Sequence, residues 1–319
     1  TESSLDSSHG GYYDIPVIHR PHWKWLVIGY FYFGGISGAS AVIAGFLRLY
    51  GGASGAALAR IATYVSFLTL LPCPVLLILD LGRPARFFHM LHTFRVTSPM
   101  SVGSWGLTTF GVISTLTAGL QLLDDRSSRK GERPANLPRA VGGGLSLLGG
   151  LSGFFVAGYT GVLLAATAVP LWSKRPALLG PLFLSSAITS AAAAISAVAS
   201  VAERDESDAH DRLRMLETIS TVTEEALLVI WIMALGSTAR PIVEGRLGAV
   251  VRHGAVGVGM VVPLMSAALS PYLPRRLRRP LAIASAALTL SGVFAVRCAV
   301  VMGGRLSADD PGATFEMTG

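Results

Sequence analysis

One stretch of the chain concentrates groups that exchange protons: Asp80-Leu-Gly-Arg-Pro-Ala-Arg-Phe-Phe-His-Met-Leu-His92, followed by Ser98-Pro-Met-Ser-Val-Gly-Ser-Trp105. A carboxylate, arginines and the imidazoles of His89 and His92 sit there between two long apolar runs. Elsewhere Tyr159, Glu224, Glu225 and Arg297 interrupt apolar sequence in the same way. A carboxylic acid withdrawn from water holds its proton more tightly, which suits it to proton exchange near neutral pH. Ionisable groups at such depth are costly unless they face the protein interior or a watery cavity, so each is a candidate for function.

The elements that must position them follow from composition. With 319 residues, 51% hydrophobic, 14% charged and a mean hydropathy of +0.54, the chain is more apolar than a soluble domain, in which about 25% of residues are charged. Its apolar residues gather in runs of roughly 20, the length a helix needs to cross a bilayer. Only helices close their own backbone hydrogen bonds within one segment, so the runs are read as helices and the fold as all-α and integral to the membrane. Eight spans are expected, at 25–47, 60–80, 103–122, 148–170, 177–202, 217–240, 249–270 and 281–302. The chain thus divides into a tail (1–24), spans one to three (25–122), a polar loop (123–147), spans four to eight (148–302) and a second tail (303–319).

An even number of spans puts both tails on one side. The other side carries Arg275-Arg276-Leu-Arg278-Arg279 and the loop from Arg126 to Arg139, which marks it as cytoplasmic by the positive-inside tendency. The tails, Asp80 and the Arg83–His92 connection are then extracytoplasmic. Residues 1–22 lack a basic region leading to a short apolar core, so they read as a tail rather than a signal peptide. In span one, Gly34-Gly35-Ile-Ser-Gly38 through Gly45 predicts close helix packing. Trp23, Trp25, Tyr30 and Tyr32 sit where an interfacial aromatic belt forms. Pro72 and Pro74 predict a kink in span two, with Ser66 and Thr69 helping to satisfy the freed backbone. Asp124–Pro138 reads as the longest internal connection, and Glu203–Arg214 as a solvated turn of mixed charge.

Several chemistries are set aside. Haem b between helices takes axial ligands inside the spans, commonly histidine. All seven histidines fall in a tail, a loop or a span edge, so no haem is expected. The two cysteines, Cys73 and Cys298, are too few for an iron–sulfur cluster in this chain. No zincin, Walker or dinucleotide pattern is present, and Gly142–Gly144 and Gly149–Gly153 lead into a span without a preceding strand. The net charge of +7 resides in short loops, which is membrane topology rather than nucleic-acid binding.

What remains is a membrane chain with protonatable groups. Quinone chemistry needs an apolar slot, hydrogen-bond partners for two carbonyls and a group that exchanges protons, and Asp80 at the end of a kinked apolar helix meets the last need. The competing reading is that Asp80 pairs with Arg83 one turn on and merely closes the helix. Tyr159 is either a buried hydroxyl satisfied structurally or a ligand contact. His89 and His92 either relay protons or anchor the loop on a partner. Glu224, Glu225 and Arg297 offer a different function, proton conduction or transport through the second half of the chain. A third reading is an inert anchor.

Asp80-Leu-Gly-Arg-Pro-Ala-Arg-Phe with Thr97-Ser-Pro-Met-Ser-Val-Gly-Ser-Trp105 resembles the signature of the polysulfide-reductase membrane-subunit family, the NrfD/PsrC type. Tyr159-Thr-Gly-Val-Leu-Leu-Ala-Ala-Thr-Ala-Val-Pro-Leu-Trp172 resembles its fourth-helix motif. The resemblance implies a haem-free subunit of two four-helix bundles in the bacterial inner membrane that binds menaquinone or ubiquinone. It also implies an iron–sulfur partner with several cubane clusters and a catalytic subunit, often molybdopterin-dependent. Asp80 then matches the family's acidic residue on the second helix and Tyr159 its quinone-contacting tyrosine. The asparagine that some members place on the first helix has no counterpart here; Tyr30 or Tyr32 is the substitute, with Arg83 and His89 completing the expected quinone site.

Overall fold

Eight helical stretches in the computed structural model are long and apolar enough to cross a membrane: Trp25–Tyr50, Gly55–Asp80, Pro99–Arg129, Gly143–Ala165, Pro176–Ala202, His210–Val243, Gly245–Tyr272 and Arg276–Ser307. The structure describes residues 23–82, 87–92, 94–130, 139–202 and 208–308, and no strand occurs among them. The expected all-α, eight-span membrane fold is what the chain adopts. Arg83 and most of both tails lie outside the described residues.

In chain order the helices are α1 (Trp25–Tyr50), α2 (Gly52–Leu70), α3 (Pro72–Asp80), α4 (Phe87–His92), α5 (Pro99–Arg129), α6 (Arg139–Ala165), α7 (Pro170–Ser173) and α8 (Pro176–Ala202). The second half follows with α9 (Asp208–Leu235), α10 (Arg240–Val243), α11 (Gly245–Ala249), α12 (Val262–Leu269) and α13 (Arg275–Ser307). Helix α1 is the hub: it packs along α2, α3, α6 and α8, while α5 closes against α2 and α6. In the second half α8 lies between α9 and α13, and α13 supports the segment that precedes α12.

Small residues make these approaches possible. A Cβ added at Gly38 of α1 would overlap the carbonyl oxygen of Gly153 on α6 and come within 3.0 Å of the Ala157 nitrogen. Gly259 and Gly292 meet in the same way where spans seven and eight cross. Gly38→Ala is therefore expected to cost about 1–3 kcal/mol, the usual range for overpacking. Gly158→Ala, at a site with open space around the new methyl, is expected to be neutral or slightly stabilising. Thermal unfolding of the two variants in one detergent compares them; equal midpoints would remove the glycine seam as a packing device.

The proline break in span two is present. Helix α2 ends at Leu70 and α3 begins at Pro72, with Leu71 between them at φ −53 and ψ −43. The Thr69 hydroxyl donates to Val65 O (2.7 Å) and the Cys73 thiol to Thr69 O (3.4 Å). Ser66 takes part through its carbonyl, which accepts from the Ser37 hydroxyl of α1 at 2.7 Å.

Polarity misplaces other boundaries. Asp124–Pro138 was expected to be a connection, yet α5 continues to Arg129. The reason is Asp125, which accepts from the Tyr64 hydroxyl (2.7 Å) and Gln121 Nε2 (3.0 Å) and pairs with Arg60 (3.2 Å). Asp208–Arg214, expected in a solvated turn, is already helical and buries Leu213. Span seven departs from regular winding: Val250–Val261 form a π-helical stretch, a rare conformation often found near functional sites.

Polar contacts also define two ends of the helix set. At one, Arg48 donates to Thr63 Oγ1 (3.0 Å), Gln121 Oε1 (2.8 Å) and Ser146 Oγ (3.4 Å), which joins the first four spans. At the other, the Trp172 indole stacks on Trp23 with centroids 5.4 Å apart and donates to Val300 O at 2.8 Å. Lys174 reaches Thr238 Oγ1 there (2.9 Å), so the beginning of span one, the connections after spans four and six, and the end of span eight share one side.

Candidate functional site

Helix α3 runs antiparallel beside the first half of α1. Cys73 Sγ lies 3.9 Å from where a Gly34 Cβ would stand, and Leu76 Cδ1 lies 3.2 Å from the corresponding point at Gly29. Continuing this register brings Asp80, the last residue of α3, toward the Trp23 side. Asp80 is half-buried and engaged in a polar interaction. His89 falls on α4, which packs against α5, and its side chain is not among those described; His92 is exposed.

Tyr30 overturns the aromatic-belt expectation. Trp25 is 69% exposed and fits a belt, but Tyr30 is only 5% exposed. Its phenol lies within electrostatic reach of Cys73 and Tyr159 and makes no hydrogen bond among the described residues. Tyr32, also assigned to the belt, turns instead toward the second half of the chain and meets the Phe294 ring edge-on at 5.3 Å. Trp23 is occupied by Trp172. The helical period of 3.6 puts these neighbours on different faces, which their common nearness to a span end conceals.

Tyr159 stacks on Phe155 with centroids 4.7 Å apart. Gly103 admits its ring, since a Cβ there would stand 2.6 Å from Tyr159 Cε1. The Tyr159 hydroxyl donates to Pro99 O, at the start of α5. The Ser98–Trp105 motif and the fourth-helix motif therefore meet directly through this ring, and the Tyr30 phenol lies within electrostatic reach of it. The arrangement offers a ligand one free phenol donor at the edge of an apolar wall.

A second cluster forms where α1, α8, α9 and α13 converge. Arg297 is completely buried; its Nε donates to Phe31 O (3.2 Å), and Nη1 to Ser186 Oγ (2.7 Å) and Val293 O (3.4 Å). Its guanidinium carbon stands 5.7 Å from the Phe183 ring centroid and 6.0 Å from that of Tyr32. Nη2 packs onto Gly35, where a Cβ would come to 2.8 Å, and has no hydrogen-bond partner among the described residues. Glu224 is also completely buried, with Ser186, Thr189 and Arg297 around its carboxylate. Neither of its oxygens completes a hydrogen bond among the described residues. The structure thus brings Glu224 and Arg297 together, while Glu225, one residue on and about 100° around the helix, is only half-buried.

Sequence reasoning missed Glu217. It accepts from Ser196 Oγ at 3.3 Å and lines a cavity of about 350 Å³ with His210, Arg214, Thr221, Ser266 and Ser285. The Ser266 and Ser285 hydroxyls are joined at 2.8 Å. The missed signal is periodic: Glu217, Thr221 and Glu224 recur at i, i+4 and i+7, one stripe of α9. No group of three His, Cys, Asp or Glu side chains among the described residues is placed to hold a metal.

Eight apolar helices around a buried arginine, a buried glutamate and a buried tyrosine define a polytopic membrane subunit with an ionisable interior. The chain matches the family described as polysulphide reductase, NrfD, over residues 17–308, and it belongs to that family. The resemblance read from its Asp80–Phe87, Thr97–Trp105 and Tyr159–Trp172 motifs is borne out. Members are membrane subunits of quinone-linked oxidoreductase complexes. A comparison with curated proteins gives no match.

Proposed function

We propose that the chain is the haem-free, quinone-reactive membrane subunit of a respiratory oxidoreductase, exchanging electrons between an iron–sulfur partner and the membrane pool of menaquinone or ubiquinone. The observation that carries this reading is Tyr30: a tyrosine 5% exposed, without a hydrogen-bond partner among the described residues and within electrostatic reach of Tyr159, in a member of the NrfD family. A hydroxyl with no protein acceptor among the described residues is available to donate to a ligand carbonyl. A quinone bound there accepts two electrons and two protons. Tyr30 donates to one carbonyl, Tyr159 and Phe155 form the ring-bearing wall, and Asp80, with Arg83 and His89 beyond it, exchanges protons with the aqueous side. Asp80 stands at a helix end for this purpose, where a carboxylate reaches both water and the apolar slot.

The reading carries an orientation and a set of companions. The chain sits in a bacterial inner membrane with spans one to four and five to eight as two four-helix bundles and both tails extracytoplasmic. An iron–sulfur protein with several cubane clusters docks over the Asp80 side and serves a catalytic subunit, often molybdopterin-dependent. The chain is not catalytic alone.

Tyr30→Phe tests the site, because it removes one hydroxyl and little volume. Loss of one hydrogen bond of about 1–1.4 kcal/mol lowers affinity for a fluorescent quinone analogue roughly fivefold to tenfold, with the complex still assembled. Unchanged affinity would move the site away from Tyr30, and an assembled wild-type complex that binds no analogue would make the chain an inert anchor.

The partnerless Glu224 carboxylate favours a second function alongside the first, proton passage through spans five to eight. In that reading Glu217 in its cavity, Glu224 and Arg297 form the row, and Glu225 stands off its line.

A further inference from the structure

A cavity of about 820 Å³ opens where span six ends, span seven begins and span eight ends, on the side of Trp23 and Trp172, and no role proposed above uses it. Arg240 on α10, Arg246 on α11 and Arg305 near the end of α13 line it, with Glu244 as the one carboxylate among the described residues. Three cations from three separate elements face one anion. None of the three guanidiniums makes a hydrogen bond or an ion pair among the described residues, and the Arg305 Nε is buried without an acceptor. Glu244 pairs with none of them either, so among the described residues the lining carries a positive excess.

The remaining wall is hydrocarbon. Leu247, Val250, Met302 and Leu306, with Pro241 and Gly245, form the rest of the lining among the described residues, and Val250 (43%), Met302 (47%) and Leu306 (53%) are exposed on spans seven and eight. A cationic pocket at the span ends that continues into an outward apolar stripe is amphipathic in the sense of a phospholipid. Arginine forks bind phosphate oxygens in bidentate fashion, and such residues near the headgroup level attract anionic lipid. A soluble acidic partner satisfies the cations but leaves the apolar stripe unexplained.

We propose that this cavity is a binding site for an anionic phospholipid, with its phosphate held by Arg240, Arg246 and Arg305 and its acyl chains along Val250, Met302 and Leu306. The site is independent of the quinone reading and braces the ends of spans six, seven and eight against one another.

Native mass spectrometry of the purified protein, mixed with phosphatidylglycerol or phosphatidylcholine in a nonionic detergent, tests it. The wild type is expected to retain one phosphatidylglycerol in preference to phosphatidylcholine and to gain thermal stability from it. Each arginine near a headgroup contributes about fivefold, so R240Q/R246Q/R305Q is expected to lose roughly a hundredfold in affinity together with the thermal gain. If the triple variant does not fold, the three single variants each read a loss of about fivefold. Equal retention of the two lipids, wild-type affinity in the glutamine variants, or equal stabilisation by inorganic phosphate would overturn the proposal. So would a triple variant that keeps its lipid and loses a soluble partner, because the surface would then belong to that partner.

Discussion

Asp80→Asn is expected to lower quinone-linked turnover by about 10²-fold or more while leaving the chain assembled in the membrane, the effect of removing a proton-exchanging group from the reacting centre. Asparagine keeps the shape of the carboxylate and can still accept a hydrogen bond at the end of α3. It cannot take up and release a proton. That difference separates the two readings of Asp80. If the residue only closes the helix through Arg83, the substitution removes an ion pair near the surface, worth about 0–1 kcal/mol, and shows as a small drop in unfolding temperature with turnover intact. If it exchanges protons for a bound quinone, turnover falls and the unfolding temperature stays. The measurement is quinol oxidation in membranes matched for the amount of assembled complex. Wild-type turnover would remove Asp80 from the reaction, without touching the Tyr30 binding test.

Much of the fold was legible because lipid imposes few solutions. A run of twenty apolar residues has to be a helix there, and Pro72 with Pro74 has to break one. The glycines of span one announced the seam that Gly38 makes with Gly153. The helix ends were less legible. Polar residues around Asp124 look like a loop until their partners are known, and only tertiary structure shows that Tyr64, Gln121 and Arg60 hold Asp125 on a continuing helix. Side-chain direction was the largest gap. Nearness to a span end grouped Tyr30 with Trp25, although the former is buried and the latter exposed. Adjacency grouped Glu225 with Glu224, although the partner of Glu224 along α9 is Glu217, seven residues earlier. Counting by helical turns rather than by position in the chain recovers that pair. Even so, nothing in the sequence announces that Arg297 meets Ser186, since that contact joins residues more than a hundred positions apart.

Arg297→Met is expected to be the most destabilising single substitution among those considered, by about 3–5 kcal/mol, because it strands buried polar groups rather than merely deleting a contact. The guanidinium satisfies Phe31 O on α1, Ser186 Oγ on α8 and Val293 O on its own helix, so three spans lose a common anchor. Glu224 then keeps a buried carboxylate with no compensating cation. Methionine fills comparable space, so the loss reports polarity more than volume. The double variant R297M/E224M removes both charges, and its loss is expected to be smaller than the sum of the two single losses, with a coupling of about 0.5–3 kcal/mol for residues sharing one network. Unfolding temperatures of the three variants in one detergent give the cycle. Glu224→Gln supplies the functional arm: it abolishes the charge while keeping the shape, so a structural Glu224 yields normal proton uptake in vesicles, and a Glu224 on a proton route yields impaired uptake in a chain as stable as the wild type. A simple sum of the single losses in the double variant would mean that the two charges act separately. Ser186, the hydrogen-bond partner of Arg297 that also faces Glu224, would then be the boundary between two independent sites rather than the link within one.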